Sequence, residues 1–284
     1  MTKKLLITIF GILCFGQSKA TETEKIWVVV QPTAQINKTI DFYLIVSNKA
    51  EIRFAEIFTE IDNIDGLHLF SNFTTQNTTN FRVLYTYAVP QRLGKIEIPP
   101  ITITIDGVEH TSRPVFINVV ESITIDENSV RNVLVLDREV YHLQDTIRMS
   151  LFQYSQFSRI LNIRASNHVR DLTGITNIEE FPDAELKWYD WLFNTLLNFG
   201  WDNRKLVTLD GETYIRTELF RFYFIANQAG TFRFQPSVLE FDVYRSLTDW
   251  FDTLEGRGFW RFWRRNRGIH NVTVTSNPIE IVVQ

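Results

Sequence analysis

Cysteine is almost absent from this chain: Cys14 is the only one in 284 residues. It lies in an N-terminal apolar stretch that reads as an export signal, so the cleaved chain would have no disulfide, thiol nucleophile or thiolate metal site. Long apolar runs are absent too. Beyond the N-terminus no segment has about eighteen apolar residues in succession, so no membrane-spanning helix and no C-terminal anchor helix is expected. Histidines are few and scattered (His68, His110, His142, His168 and His270), none at metal-ligand spacing from another. There is no G-x-S-x-G, no H-E-x-x-H and no Walker loop. No catalytic residue, metal site or cofactor is therefore expected, and the chain reads as a non-enzyme.

Positive charge is also short. The formal net charge is -4, with 29 basic and 33 acidic residues. Loss of Lys3, Lys4 and Lys19 with a signal peptide would leave 26 basic against 33 acidic residues, or -7. An acidic chain disfavours a nucleic-acid role.

The N-terminus has the three parts of an export signal. Lys3 and Lys4 form a basic start, Leu5 to Phe15 an apolar run, and Ser18-Lys19-Ala20 a small-residue cleavage site. Residues 1–20 are assigned to the signal peptide, which implies a periplasmic protein, with peripheral attachment to the inner membrane as an option. Beyond it the chain is dominated by short alternating strands. Ile26 to Val30 is a continuous apolar strand closed by Gln31-Pro32. In Thr39 to Val46, Ile40, Phe42, Leu44 and Val46 point one way and Asp41, Tyr43 and Ile45 the other. Phe54 to Ile61 is a further strand candidate. Val83, Tyr85, Tyr87 and Val89 share a face before Pro90, Gly94 makes a turn, and Ile101, Ile103 and Ile105 lead into a hairpin turn at Asp106-Gly107. Val115 to Val120 closes the unit. Strands this short, with turns this regular, fit an immunoglobulin-like β-sandwich over residues 21–122.

After a linker at 123–131 the pattern returns. Leu143-Gln144-Asp145-Thr146-Ile147 matches Ile36-Asn37-Lys38-Thr39-Ile40, Gly230 to Pro236 echoes Gly94 to Pro100, and Thr275 to Val283 echoes Thr111 to Val119. The order of turn residues is preserved, which a duplicated unit explains. The fold expected is mostly β: two tandem immunoglobulin-like sandwiches, 21–122 and 132–284, the second with helical insertions near 183–201 and 246–267.

The second insertion is the one segment with a functional shape. Ser246 and Asp249 form a capping-box-like start. Trp250, Phe251, Phe259, Trp260, Phe262 and Trp263 supply apolar area, and Arg257, Arg261, Arg264, Arg265 and Arg267 supply charge. The combination suits an acidic protein surface or an anionic headgroup layer. In the other reading the two insertions fold against each other as a satellite core.

The run Y-x-Y-x-x-P, then G-K-I-E-I-P-P-I-T-I-T-I-D-G, then T-S-R-P-V-F-I-N-V-V resembles the BatD family, the aerotolerance or oxygen-tolerance proteins of the Bacteroidetes type. The second unit is similar, with V-L-V-L-D-R-E-V-Y-H-L-Q-D-T-I. The resemblance implies an exported, non-enzymatic scaffold for protein–protein interaction in the cell envelope, working with von Willebrand A-type and TPR proteins in stress response. An adhesin or carbohydrate-binding sandwich is the alternative.

Overall fold

The computed structural model describes residues 25–47, 64–71, 74–77, 81–165, 175–177, 204–234, 236–250 and 269–284. The signal segment, the strand candidate Phe54 to Ile61, the insertion at 183–201 and most of the second insertion lie outside them. The described chain is mostly β, in several sheets.

The first ten strands are β1 (Ile26–Val30), β2 (Thr33–Gln35), β3 (Ile40–Val46), β4 (Leu67–Leu69), β5 (Thr74–Asn77), β6 (Arg82–Pro90), β7 (Gly94–Ile98), β8 (Thr102–Ile105), β9 (Val108–Thr111) and β10 (Val115–Val120). They form one sheet in the order β1-β3-β6-β4, with β5 also on β6, a second in the order β2-β10-β7, and the hairpin β8-β9. The hairpin turn is where Asp106-Gly107 required it, with φ of 51° and 79°.

The remaining strands are β11 (Val130–Leu136), β12 (Val140–Tyr141), β13 (Thr146–Ser155), β14 (Arg159–Ala165), β15 (Ile175–Asn177), β16 (Lys205–Leu209), β17 (Glu212–Ala226), β18 (Gly230–Phe234), β19 (Val238–Tyr244), β20 (Ile269–Thr275) and β21 (Ile279–Val283). Their sheets run β11-β13-β17-β15, with β16 also on β17, then β12-β21-β18 and β14-β19-β20. Strand order therefore repeats, down to the parallel pairing of β10 with β2 and of β21 with β12.

The repeat extends to single hydrogen bonds. Asn37 and Gln144 both have positive φ, 58° and 68°, and their amides donate to Pro90 O at 2.9 Å and Ala226 O at 2.7 Å. Ser112 Oγ accepts from the Ile101 amide at 2.9 Å, and Ser276 Oγ accepts from the Ser237 amide at 2.8 Å. Each serine amide returns a bond of 2.9 Å to the carbonyl of the same residue. These serines close backbone groups that sandwich corners would otherwise leave unpaired.

Each set of sheets encloses an apolar core. Ile26, Phe42 and Leu44 meet Ile96, Ile98 and Ile117 in the first, and Leu134, Met149 and Leu151 meet Phe234, Phe241 and Ile281 in the second. The segment between them is anchored: Ile123 is buried in the second core, and Val120 and Ile125 pack against it. A third cluster joins the two halves. Trp27, Val29, Tyr43, Ile45 and Val83, all on the outward face of the β1-β3-β6 sheet, pack with Ile215 and Leu206 of the β16-β17 hairpin. That explains why β1 and β3 are buried at every position. One face looks into the first core, and the other is covered by the second half.

Candidate functional site

β3 is apolar except for Asp41. An ionised carboxylate in such a strand must find partners or lose its charge. Asp41 points to the outward face, where Ser158 and Arg159, at the start of β14, come against it. Its Oδ1 accepts from Arg159 Nη2 at 2.7 Å and from the Tyr85 hydroxyl at 2.7 Å, and its Oδ2 accepts from Arg159 Nε at 2.9 Å and from Ser158 Oγ at 2.7 Å. Both oxygens carry two bonds each, which fills the acceptor capacity of a carboxylate. The arginine grips in the bidentate geometry that its planar fork favours. The pair is buried, with side-chain exposures of 0% for Asp41 and 11% for Arg159.

Burial by itself would raise the Asp41 pKa. The Arg159 charge and the bonds from Arg159, Ser158 and Tyr85 reverse that, and the carboxyl sits below its ordinary value. Burial would likewise lower the Arg159 pKa, but the Asp41 charge holds it above the ordinary arginine value. Burial and then the Asp41 charge push both the Tyr85 and the Tyr43 phenol up, so both stay neutral. The cluster is a saturated tie. Four hydrogen-bond donors occupy both oxygens of the Asp41 carboxylate.

Further contacts seal the junction. Gln31 Nε2 donates to Thr33 O at 2.7 Å and across to Arg245 O at 2.8 Å. The Leu247 amide donates to Thr39 O at 2.8 Å, and Thr248 Oγ1 accepts from the Thr39 amide at 3.2 Å. Trp27 Nε1 donates to Arg204 O at 2.8 Å, while Lys205 Nζ lies 5.2 Å from the Trp27 ring centroid. Tyr43 stacks on Tyr85, with ring centroids 5.0 Å apart.

Of the aromatic and arginine residues singled out in the sequence, Trp250 is described. It lies in a helical turn, 247–250, whose Ser246 Oγ accepts from the Asp249 amide at 3.1 Å, as the capping signal anticipates. The Arg159 guanidinium lies 4.7 Å from the Trp250 ring centroid, which brings Trp250 to the junction. Phe259, Trp260, Arg261, Phe262, Trp263, Arg264, Arg265 and Arg267 lie outside the described residues. Among the described residues, no group of His, Cys, Asp and Glu could hold a metal ion, and no helix is long and apolar enough to cross a membrane.

Reading the sequence missed Asp41, Arg159, Tyr85, Ser158 and Gln31. A signal was available: a lone carboxylate between Ile40 and Phe42, next to a strand, β1, that is apolar on both faces.

No curated protein matches the chain. Solved structures similar to it include the D00-D0 domain of intimin, at 7% identity over 90% of this chain and 99% of that one, with a TM-score of 0.21. The Yersinia pseudotuberculosis adhesin InvE aligns at 10% identity over 89% of this chain and 58% of that one, with a TM-score of 0.18. Tandem Ig repeats of Dlar align at 8% identity over 92% of this chain and 97% of that one, with a TM-score of 0.23. Scores of this size carry no argument, and the fold rests on the strand pairing described above. The sequence itself is more specific: the family model described as "BatD DUF11 like domain" matches residues 22–119, which supports the BatD assignment for that part of the chain.

Proposed function

We propose that the chain is a non-enzymatic scaffold of the cell envelope, exported by residues 1–20. In this reading residues 21–122 and 132–284 are two immunoglobulin-like sandwiches with a linker at 123–131. The Asp41–Arg159 tie is the observation that carries the proposal. A fully satisfied carboxylate between two sheet stacks does no chemistry, but it holds two modules in one orientation, which is what a presenting scaffold needs. The BatD domain at 22–119 supports a place in envelope stress response or aerotolerance, with von Willebrand A-type and TPR proteins as partners. The aromatic and arginine residues from Trp250 to Arg267 serve in this reading as a contact for a protein or for the membrane surface.

Two measurements test it. The full chain, tagged in its native host, is expected to co-purify with a von Willebrand A-type or TPR protein from the envelope fraction, and deleting the gene is expected to lower survival under oxygen. Normal survival together with no such partner overturns the reading. Joint replacement of Trp260, Trp263, Arg264 and Arg265 is expected to abolish the membrane or partner contact while the far-ultraviolet circular dichroism stays unchanged.

One observation favours glycan binding as a second reading: Phe70 is an exposed aromatic flanked by His68 and Tyr87. Rings so placed can stack on sugars. A glycan-array signal that disappears in Phe70→Ser would favour it over the scaffold.

A further inference from the structure

The outward face of the β1-β3-β6-β4 sheet does not end where the second half stops covering it. Tyr43 and Tyr85 lie in the buried part. Tyr87, two residues along β6, meets Tyr85 edge-on with ring centroids 5.1 Å apart. Phe70 meets Tyr87 at 6.4 Å, and His68 meets Phe70 at 5.3 Å. Leu67 and Leu69 of β4 are buried in the first core, so His68 and Phe70 face the other way, on the side of the tyrosines. The backbone holds this end of the row firmly: the Phe70 amide donates to Tyr87 O at 3.0 Å, and Thr86 Oγ1 donates to Phe70 O at 2.8 Å. Aromatic side chains thus continue out of a buried intramolecular interface onto the surface. Tyr87 is half-buried, and Phe70 and His68 are exposed. A lone exposed ring needs no explanation, but a fixed cluster continuous with an interface does.

The buried part of the same face also indicates what it accepts. The β16-β17 hairpin brings the apolar Leu206 and Ile215. Cations of the second half come with them: Arg159, whose Nη2 donates to the Tyr85 hydroxyl at 2.8 Å, and Lys205 over the Trp27 ring. Arg204 acts electrostatically on Tyr43. An aromatic face attracts cations through its ring quadrupoles and buries apolar side chains between them.

We infer that the aromatic shelf His68–Phe70–Tyr87 is a protein-docking surface, and that its partner presents arginine or lysine among apolar side chains, as the β16-β17 hairpin does on the adjoining part of the sheet. The inference rests on the scaffold reading and names one surface for it.

The test uses the full chain in its native host, with Phe70 replaced by the photo-crosslinker p-benzoylphenylalanine. Phe116, equally exposed but on the β2-β10-β7 sheet, takes the same replacement as a control. The expected result is an adduct at position 70, at least tenfold above that at position 116, to a polypeptide whose sequenced adduct peptide carries Arg or Lys among apolar residues. In the unlabelled protein, Phe70→Ser is expected to lower recovery of that polypeptide at least tenfold. An adduct to glycan or lipid, a peptide without a basic residue, equal yields at 70 and 116, or unchanged recovery in Phe70→Ser would each overturn the inference. If Phe70→Ser still recovers von Willebrand A-type or TPR proteins in full, the shelf fails and the scaffold stands. If no variant recovers them, the scaffold reading itself fails.

Discussion

Val29 and Val135 hold the same place in the repeated strand order, yet Val29 is 0% exposed and Val135 39%. Their rows differ in chemistry. Across the first sheet the pairing runs Val29–Tyr43–Tyr85, and across the second Val135–Ser150–Arg221. One row further on, Asp41 pairs with Tyr87 and Arg148 with Tyr223. The first face is aromatic and lies under the β16-β17 hairpin. The second is polar: Ser150 Oγ donates to Glu218 Oε1 at 2.7 Å, and Arg221 pairs with the same glutamate at the surface. The corner bonds of Ser112 and Ser276 match in partner pattern and in length to 0.1 Å, whereas the outward faces have diverged. Turn and corner chemistry answers to the local backbone and so repeats with it. Face chemistry answers to whatever lies against it, and the first of these faces is covered by Leu206 and Ile215 of the β16-β17 hairpin.

The contrast can be broken most forcefully at Asp41. Asp41→Ala removes the carboxylate that neutralises buried Arg159, which is expected to cost about 3–5 kcal/mol in urea unfolding. Arg148→Ala, at the sister position, is expected to stay within about 0.5 kcal/mol. Similar losses for the two variants would mean that the first face is not specially covered. Next is the third apolar cluster. Ile215→Ala is expected to cost roughly 2–5 kcal/mol, while Val135→Ala on the open face should change stability by less than about 0.5 kcal/mol.

The repeated corners sharpen the comparison from the other side. Ser112→Ala and Ser276→Ala each strand one backbone amide, at about 1–3 kcal/mol. The two losses should match and add in the double variant, because the corners are remote and share no partner. Unequal losses would undo the equivalence drawn from geometry. The smallest effect is with pH. The Asp41 carboxyl lies below its ordinary value, so its contribution is complete above the unfolded value of about 4 and disappears as pH falls through the lower folded value. The stability gap between wild type and Asp41→Asn should therefore be constant near neutrality and narrow in acid. A gap that widens in acid would put the shift in the opposite direction.

Much of the strand framework was legible in the sequence. Alternation assigned β3 and β6, Asp106-Gly107 and Gly94 marked turns that require positive φ, and the recurrence of Leu143 to Ile147 exposed the repeat. Those signals are local, so a linear reading captures them. The polar segment Thr74–Asn77, with no apolar alternation of its own, is a strand, β5, that pairing with β6 sustains. The junction was not legible. Asp41 and Arg159 are 118 positions apart, and nothing in either neighbourhood names the other. The apolar character of both faces of β1 implied a cover without saying which segment supplies it. The aromatic and arginine stretch drew attention by composition. Its one described aromatic, Trp250, lies beside Arg159 rather than apart from the junction.

A double-mutant cycle between Asp41→Leu and Arg159→Met, read by urea unfolding of the full chain, tests the tie between the halves most directly. The expected coupling is roughly 2–3 kcal/mol, with the double variant more stable than either single one. A coupling near zero would mean that the two side chains do not meet across the halves in solution.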